Sequence, residues 1–306
     1  MIEGVMMRAP SAWSVAVRLP DESITARRHE LARLSERNRL ARVPLVRGML
    51  VLWESLSLGF QALSWSAEKA GGEEEEPLTR AQIGWTMTVA IVLFAGLFIL
   101  LPALVADLFS GESGLVFNLI EGLIRLGLFI GYIWAIGRSK EIGRVFEYHG
   151  AEHMSIHAYE SGEPLSVDSV RRFPPEHPRC GTSFLLIVVL GSIILFTFFG
   201  QPGWFFLVVS RLLGIPIIAG LAYELLRWSG TRSTGRLARA LAAPGIWLQK
   251  LTTRVPDDSQ IEIAITSLVV ALDDQILSDV VGRGGLPETA LTVRRSVLAS
   301  PLPEGE

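Results

Sequence analysis

Apolar residues gather in four long runs along this chain, separated by short polar or strongly basic stretches. The runs cover approximately Ile83–Leu108, Leu115–Ile136, Thr182–Phe199 and Trp204–Leu226. A helix needs roughly 20 residues to cross about 30 Å of hydrocarbon. The pattern therefore predicts about four transmembrane helices in two hairpins, 82–137 and 182–227. Residues Val46–Ala67 are also apolar, but Arg47, Glu54 and several serines interrupt them. That mixture predicts an interfacial or re-entrant helix over 44–70 rather than a clean span.

Outside these runs the pattern changes. In the N-terminal segment 1–43, Ala12–Arg18 is β-prone, Leu19-Pro20-Asp21-Glu22-Ser23 supplies a turn, and Ile24-Thr25-Ala26 can return as a second strand. A Gly-Gly-Glu-Glu-Glu-Glu-Pro linker at 71–77 reads as a solvated loop. After the last run, 228–282 predicts cytoplasmic and interfacial helices. One mixes Arg with Leu, Ala and Trp247; the next starts near Asp257 and Asp258 and offers Ile261, Ile263, Ile265, Leu268 and Val269 to a packed face. Several Gly and Pro over 283–306 predict a disordered tail. The fold class expected is mainly α: a polytopic helical membrane protein with a small β-prone N-terminal segment.

Charge sets the expected topology. The connections Phe109–Gly114 and Gly200–Gly203 contain no Lys or Arg, whereas the segments before the first run, between the second and third, and after the fourth are rich in Arg. The positive-inside rule places those three segments, and both termini, in the cytoplasm. The expected partner is the lipid bilayer; a homo-oligomer stays open. Net charge is only −3, which gives no global field for nucleic acid. The opening MIEGVMMRAP lacks the basic and apolar regions of a signal peptide, so insertion is expected through the internal helices. A single cysteine, Cys180, excludes an internal disulfide framework.

The candidate chemistry lies in the polar segment 138–181. It holds four of the five histidines, His149, His153, His157 and His177, with Cys180 three residues after the last. On a helix His149 and His153 stand one turn apart on one face, a spacing that lets two imidazoles close on one ion. His157 is about 12 Å along the axis from His149, so it can share an ion with His153 but hardly with both. His177 and Cys180 can return from the loop to add a nitrogen and a thiolate. The order His149-x-x-Glu152-His153 matches the pattern of inverted zinc proteases, in which the glutamate deprotonates a zinc-activated water. Thiolate plus imidazole favours zinc. A closed shell of His149, His153, His177 and Cys180 makes a structural zinc site; an open three-ligand shell beside Glu152 makes a hydrolytic one. Within the runs, Glu121 and Arg125 stand one turn apart and Arg211 lies near mid-span. Arg211 is expected either to pair with Glu121 or Glu54, or to bind anionic headgroups or ions.

Ile2-Glu3-Gly4-Val5-Met6-Met7-Arg8, the Glu147–His157 stretch, His177–Phe184 and Leu251–Asp258 together resemble the YqhQ-like family, over nearly the whole chain. Members often carry a Gly-rich lead before the Ile-Glu-Gly-Val motif, where this sequence begins with Met1. The resemblance implies a bacterial membrane protein of unknown function, of a kind often labelled a predicted metal-dependent enzyme. The leading expectation is a membrane-embedded, zinc-dependent hydrolase of a peptide or lipid ester, with Glu152 as general base. The alternative is a non-enzymatic transporter, channel or assembly factor with a structural zinc.

Overall fold

The computed structural model describes residues 1–31, 43–71, 80–111, 113–178, 180–198, 203–231 and 236–299. Most of the basic stretch and of the Gly/Glu-rich linker, together with residues 300–306, lie outside the described residues.

Three antiparallel strands, β1 Gly4–Arg8, β2 Ala12–Arg18 and β3 Ile24–Glu30, form a sheet in the order β1-β2-β3. The two expected strands are present, and β1 joins them by pairing Val5 with Ala16 and Met7 with Ser14. The helices follow. These are α1 Val46–Gly71, α2 Arg80–Ala95, a π-helical turn Gly96–Leu100, α3 Leu101–Ser110, α4 Gly114–Ile136 and α5 Lys140–Glu160. Beyond them lie α6 Val167–Val170, α7 Thr182–Thr197, α8 Trp204–Thr231, α9 Arg236–Thr252, α10 Asp258–Ala271, α11 Asp274–Gly282 and α12 Glu288–Ala299.

Strand alternation sends side chains to both faces of β2, and both faces are covered. Val5, Met7 and Ala16 pack with Tyr148, Ala151 and Met154 of α5 and with Ile261, Ile265 and Val269 of α10. Trp13, Val15 and Val17 pack on the other face against Leu58, Ala62 and Trp65 of α1. Every residue of α10 from Gln260 to Ala271 except Glu262 is buried, which explains its near-continuous apolar sequence. Its start is a capping box in which the Asp257 carboxylate accepts from the Gln260 amide.

Three helices are long and apolar enough to cross a membrane: Gly84–Ser110, Gly114–Ile136 and Trp204–Arg227. The fourth run forms the shorter α7, Thr182–Thr197, about 24 Å at 1.5 Å per residue. Exposed Trp85, Ile91, Leu93, Phe94, Leu108 and Phe205 give these helices an apolar outer surface suited to lipid. The chain is a helical membrane protein.

The charged side chains Glu121, Arg125 and Arg211 within the apolar runs find partners inside this bundle. Glu121 of α4 lies between Arg125 (2.5 Å) and Arg211 of α8, whose Nε and terminal nitrogen donate at 3.2 and 2.5 Å. Arg211 also donates to Asn118 Oδ1 and stacks on Phe196 of α7. Arg125 Nε donates to the Phe98 carbonyl in the π-helical turn, so the network touches every apolar helix. Glu54 pairs instead with Arg8 of β1.

One correction concerns the C-terminal tail. The tail read as disordered over 283–306 contains α12, because Ala290 and Arg294 are buried against the polar body formed by the sheet, α5 and α10. Arg294 donates to the carbonyls of Val269 and Leu272 at the end of α10, closing groups that helix leaves open. Between α4 and the histidine helix the chain turns at Gly137–Ser139, and the Ser139 hydroxyl caps α5 by accepting from the Ile142 N–H.

Candidate metal centre

His149, Glu152, His153, His157 and Glu160 all lie on α5, and the spacing 149, 153, 157, 160 puts the three imidazoles and the Glu160 carboxylate along one face. The face is pinned by the segment after α9. Arg254 donates its backbone N–H to the Phe146 carbonyl and its guanidinium to the Gly137 carbonyl. A Cβ at Gly150 would meet the Arg254 carbonyl oxygen at 2.0 Å, so only glycine allows this approach. The N-terminal motif holds the other flank: Glu3 accepts from both Arg144 nitrogens at 2.6 and 2.5 Å and from the Tyr148 hydroxyl at 3.0 Å. The stretches around Glu3 and Arg254 are thus both braces for α5.

Three of the expected ligands converge. The donor atoms of His149, His153 and Cys180 all lie within 4.8 Å of one another, and His149 Nε2 is 3.2 Å from Cys180 Sγ. Ligand atoms on one tetrahedral zinc stand about 3.4–3.6 Å apart, given bonds of 2.0–2.3 Å. Both imidazoles are turned by backbone carbonyls. His149 Nδ1 donates to Thr252 (2.9 Å) and His153 Nδ1 to Pro175 (2.6 Å), which leaves each Nε2 lone pair for an ion. The Cys180 sulfur accepts from the Thr182 N–H at 3.4 Å and shares a 3.2 Å hydrogen bond with the Thr182 hydroxyl, at the start of α7.

The electrostatics favour neutral imidazoles. Burial, then the neighbouring His149, pushes His153 down to about 3, and burial lowers His149 too. Burial raises the Cys180 thiol, the Thr182 hydrogen bonds oppose this, and the charge of Glu152 adds to the rise. Glu152 lies outside the group of donor atoms that converge. Its own carboxyl is raised by burial to about 7.

His177 goes elsewhere. Its backbone N–H and carbonyl are both held by the Gln249 side chain of α9, at 2.7 and 3.0 Å. Its ring lies 4.5 Å from that of His157 and 5.8 Å from that of His153, with Nε2 3.4 Å from Glu160 Oε2. The sequence points to His177 and His157 but not to Glu160, Gln249, Thr182 or the Thr252 and Pro175 carbonyls. Only Glu160, seven residues after His153 on the same helix, carries a sequence signal that could have found it.

The family model described as "Protein of unknown function (DUF1385)" matches residues 43–274, and the chain belongs to that family. It is also 30% identical to "Uncharacterized protein YqhQ" of Bacillus subtilis (strain 168), over 91% of this chain and 92% of the relative. No solved structure matches. Neither match carries an activity, so nothing in them speaks for a metal-dependent enzyme.

Proposed function

We propose that the chain is a zinc-dependent hydrolase of the bacterial cytoplasmic membrane, acting on a peptide or lipid ester at the inner surface. The observation that carries this reading is the convergence of His149, His153 and Cys180, with both imidazoles aimed by backbone carbonyls. Three protein ligands, two nitrogens and a thiolate, suit zinc with a position left for chemistry. A zinc there supplies Lewis acidity, which polarises an ester or amide carbonyl and acidifies water. Glu152, next to His153 on α5, is the group that would accept a proton from water there. Access from the membrane fits the position of Cys180, two residues before α7. The Arg-rich segments support placing this side, with both termini, in the cytoplasm.

A purely structural zinc calls for a fourth protein ligand. His177, the residue expected to supply it, faces His157 and Glu160 instead.

The test uses Glu152→Gln, because an amide cannot take a proton from water. The variant is expected to keep zinc and thermal stability but to fail to complement a deletion strain. A fully functional Glu152→Gln beside failing Cys180→Ser would reject hydrolysis in favour of a structural zinc.

A further inference from the structure

The sheet takes up only one side of α1. Leu58, Ala62 and Trp65 pack against it, and the helix is tied down at two further points, Glu54 to Arg8 of β1 and Arg47 to Glu224 of α8. The opposite side is open. Met49, Trp53, Leu56, Phe60 and Leu63 are all exposed there, Trp53 to 74% and Phe60 to 52%. Their spacing alternates four, three, four, three, so five large apolar side chains fall in one row over about 21 Å of helix, at 1.5 Å per residue.

That alternation is informative. A helix face that lies on a globular core is wide, whereas a strict a/d row is the narrower seam of one helix on another. Gly59 stands within one turn of both Leu56 and Leu63, and a Cβ there would meet nothing, which leaves a hollow for a neighbour's side chain. A helix lying on a bilayer surface is rich in Lys and Arg on its polar side. On α1 the only basic residues are Arg47, already paired with Glu224, and Lys69 in the last turn, and the side opposite the row is filled by the sheet. The area also fits a protein partner. Large aromatic side chains bury about 150–250 Å² each, so Trp53 and Phe60 alone leave roughly 250 Å² open. With Met49, Leu56 and Leu63 the row presents roughly 500 Å², and two such rows face to face bury roughly 1,000 Å², enough for a specific interface.

We infer that α1 is the seam of a homodimer, in which the row from Met49 to Leu63 packs into the same row of a second copy about a two-fold axis. A two-fold interface uses one patch on both partners, so the patch has to be complementary to itself. An uncharged row meets that demand, because nothing in it repels its own copy. Both copies stand in one membrane, which keeps their α1 helices at one height. The helix is already held by the sheet and by α8, so pairing has little left to order. Leu56 is the middle of the row and faces its own copy whichever way the two helices run.

The test uses the full chain. In native membranes under mild oxidation, Leu56→Cys should give a disulfide-linked dimer. Gln61→Cys, exposed on another side of α1, should not, and neither should wild type, whose Cys180 is buried. In detergent, light scattering should find wild type as a dimer. Leu56→Glu combined with Phe60→Glu should weaken that association by about tenfold or more. The helical circular dichroism should stay unchanged, because both positions are exposed. Leu56→Cys that stays unlinked in membranes overturns the seam, and its labelling by a lipid-dissolved maleimide would assign the row to lipid instead. A dimer that survives the double substitution puts the contact on another surface and overturns the seam equally.

Discussion

Single side chains at the centre are placed by main-chain groups contributed from far away in sequence. The carbonyls of Thr252 and Pro175 choose the tautomer of His149 and His153, and hence which nitrogen can meet a metal. His153 touches the ring environments of both His149 and His177, so His153→Ala is expected to abolish zinc binding, whereas His157→Ala leaves that zinc in place. Metal analysis of the purified variants decides this, and undiminished zinc in His153→Ala would remove the centre as described. Gly150→Ala must push the Arg254 carbonyl away from α5, at a cost of about 1–3 kcal/mol. It should lower the melting temperature and weaken zinc binding together, through the Thr252 carbonyl two residues before Arg254. Glu3 adds a pH dependence. Hydrogen bonds from Arg144 hold its carboxyl below the ordinary range, so the folded state favours the charged form. The stabilisation is complete above the unfolded carboxylate value and is lost as pH falls through the lowered folded one. Thermal unfolding should show Glu3→Gln less stable than wild type at neutral pH, with the two curves converging in strong acid. Added salt should narrow the difference, because the pair is partly exposed.

Elements were legible in the sequence where one physical demand ruled a whole stretch. The apolar runs had to be helices in hydrocarbon, since a single segment of about 20 residues satisfies its own hydrogen bonds there only as a helix. The α10 face and its Asp cap were legible for a similar reason. What was hidden depends on partners distant in sequence. β1 is five residues long and becomes a strand by pairing with β2. α12 follows a Gly/Pro-rich stretch and is secured by Arg294 reaching the end of α10. The position of His177 is set by Gln249, 72 residues away. For the charges in the bundle, the Glu121–Arg211 pair was legible, but its scale was not. One carboxylate serves two guanidiniums, and Arg125 is completed by a carbonyl in the π-helical turn. Glu121→Gln leaves both cations without their counter-charge in a buried setting, which should cost about 3–5 kcal/mol. Ser192→Ala removes a 3.4 Å contact to Arg125 and a 2.7 Å hydrogen bond to the Val189 carbonyl of its own helix, and should cost under about 1 kcal/mol. Thermal unfolding in detergent separates these; equal effects would mean that the Glu121 network does not hold the helices together.

At the scale of the whole molecule, the contacts decide which helices cross. One end of α8 meets the polar body: Gly220 lies against Gly48 of α1, Arg47 pairs with Glu224, and α1 continues to the sheet. Towards its other end, Leu207 packs with Ala103 and Ala106 of α3 and Phe117 of α4, near the turn that joins those helices. α8 therefore enters from the side opposite the polar body. α7 starts on the polar-body side, since Cys180 reaches His149 two residues earlier and Ser183 lies beside Gly245 of α9. The chain between them has to cross, and α7 is the element that takes it, even at about 24 Å. A helix shorter than the hydrocarbon is accommodated by local thinning of the bilayer and by packing against neighbours, here α4, α8 and α9. Topology reporters test this directly. Insertion at Gly162, in the turn after α5, should report the cytoplasm, and insertion at Gly111 should report the outside. The decisive position is Gly203, immediately before α8. It should report the outside, like Gly111. A cytoplasmic signal there would mean that α7 folds back without crossing; α9 would then be carried to the far side, away from His149, and the metal centre could not assemble as drawn.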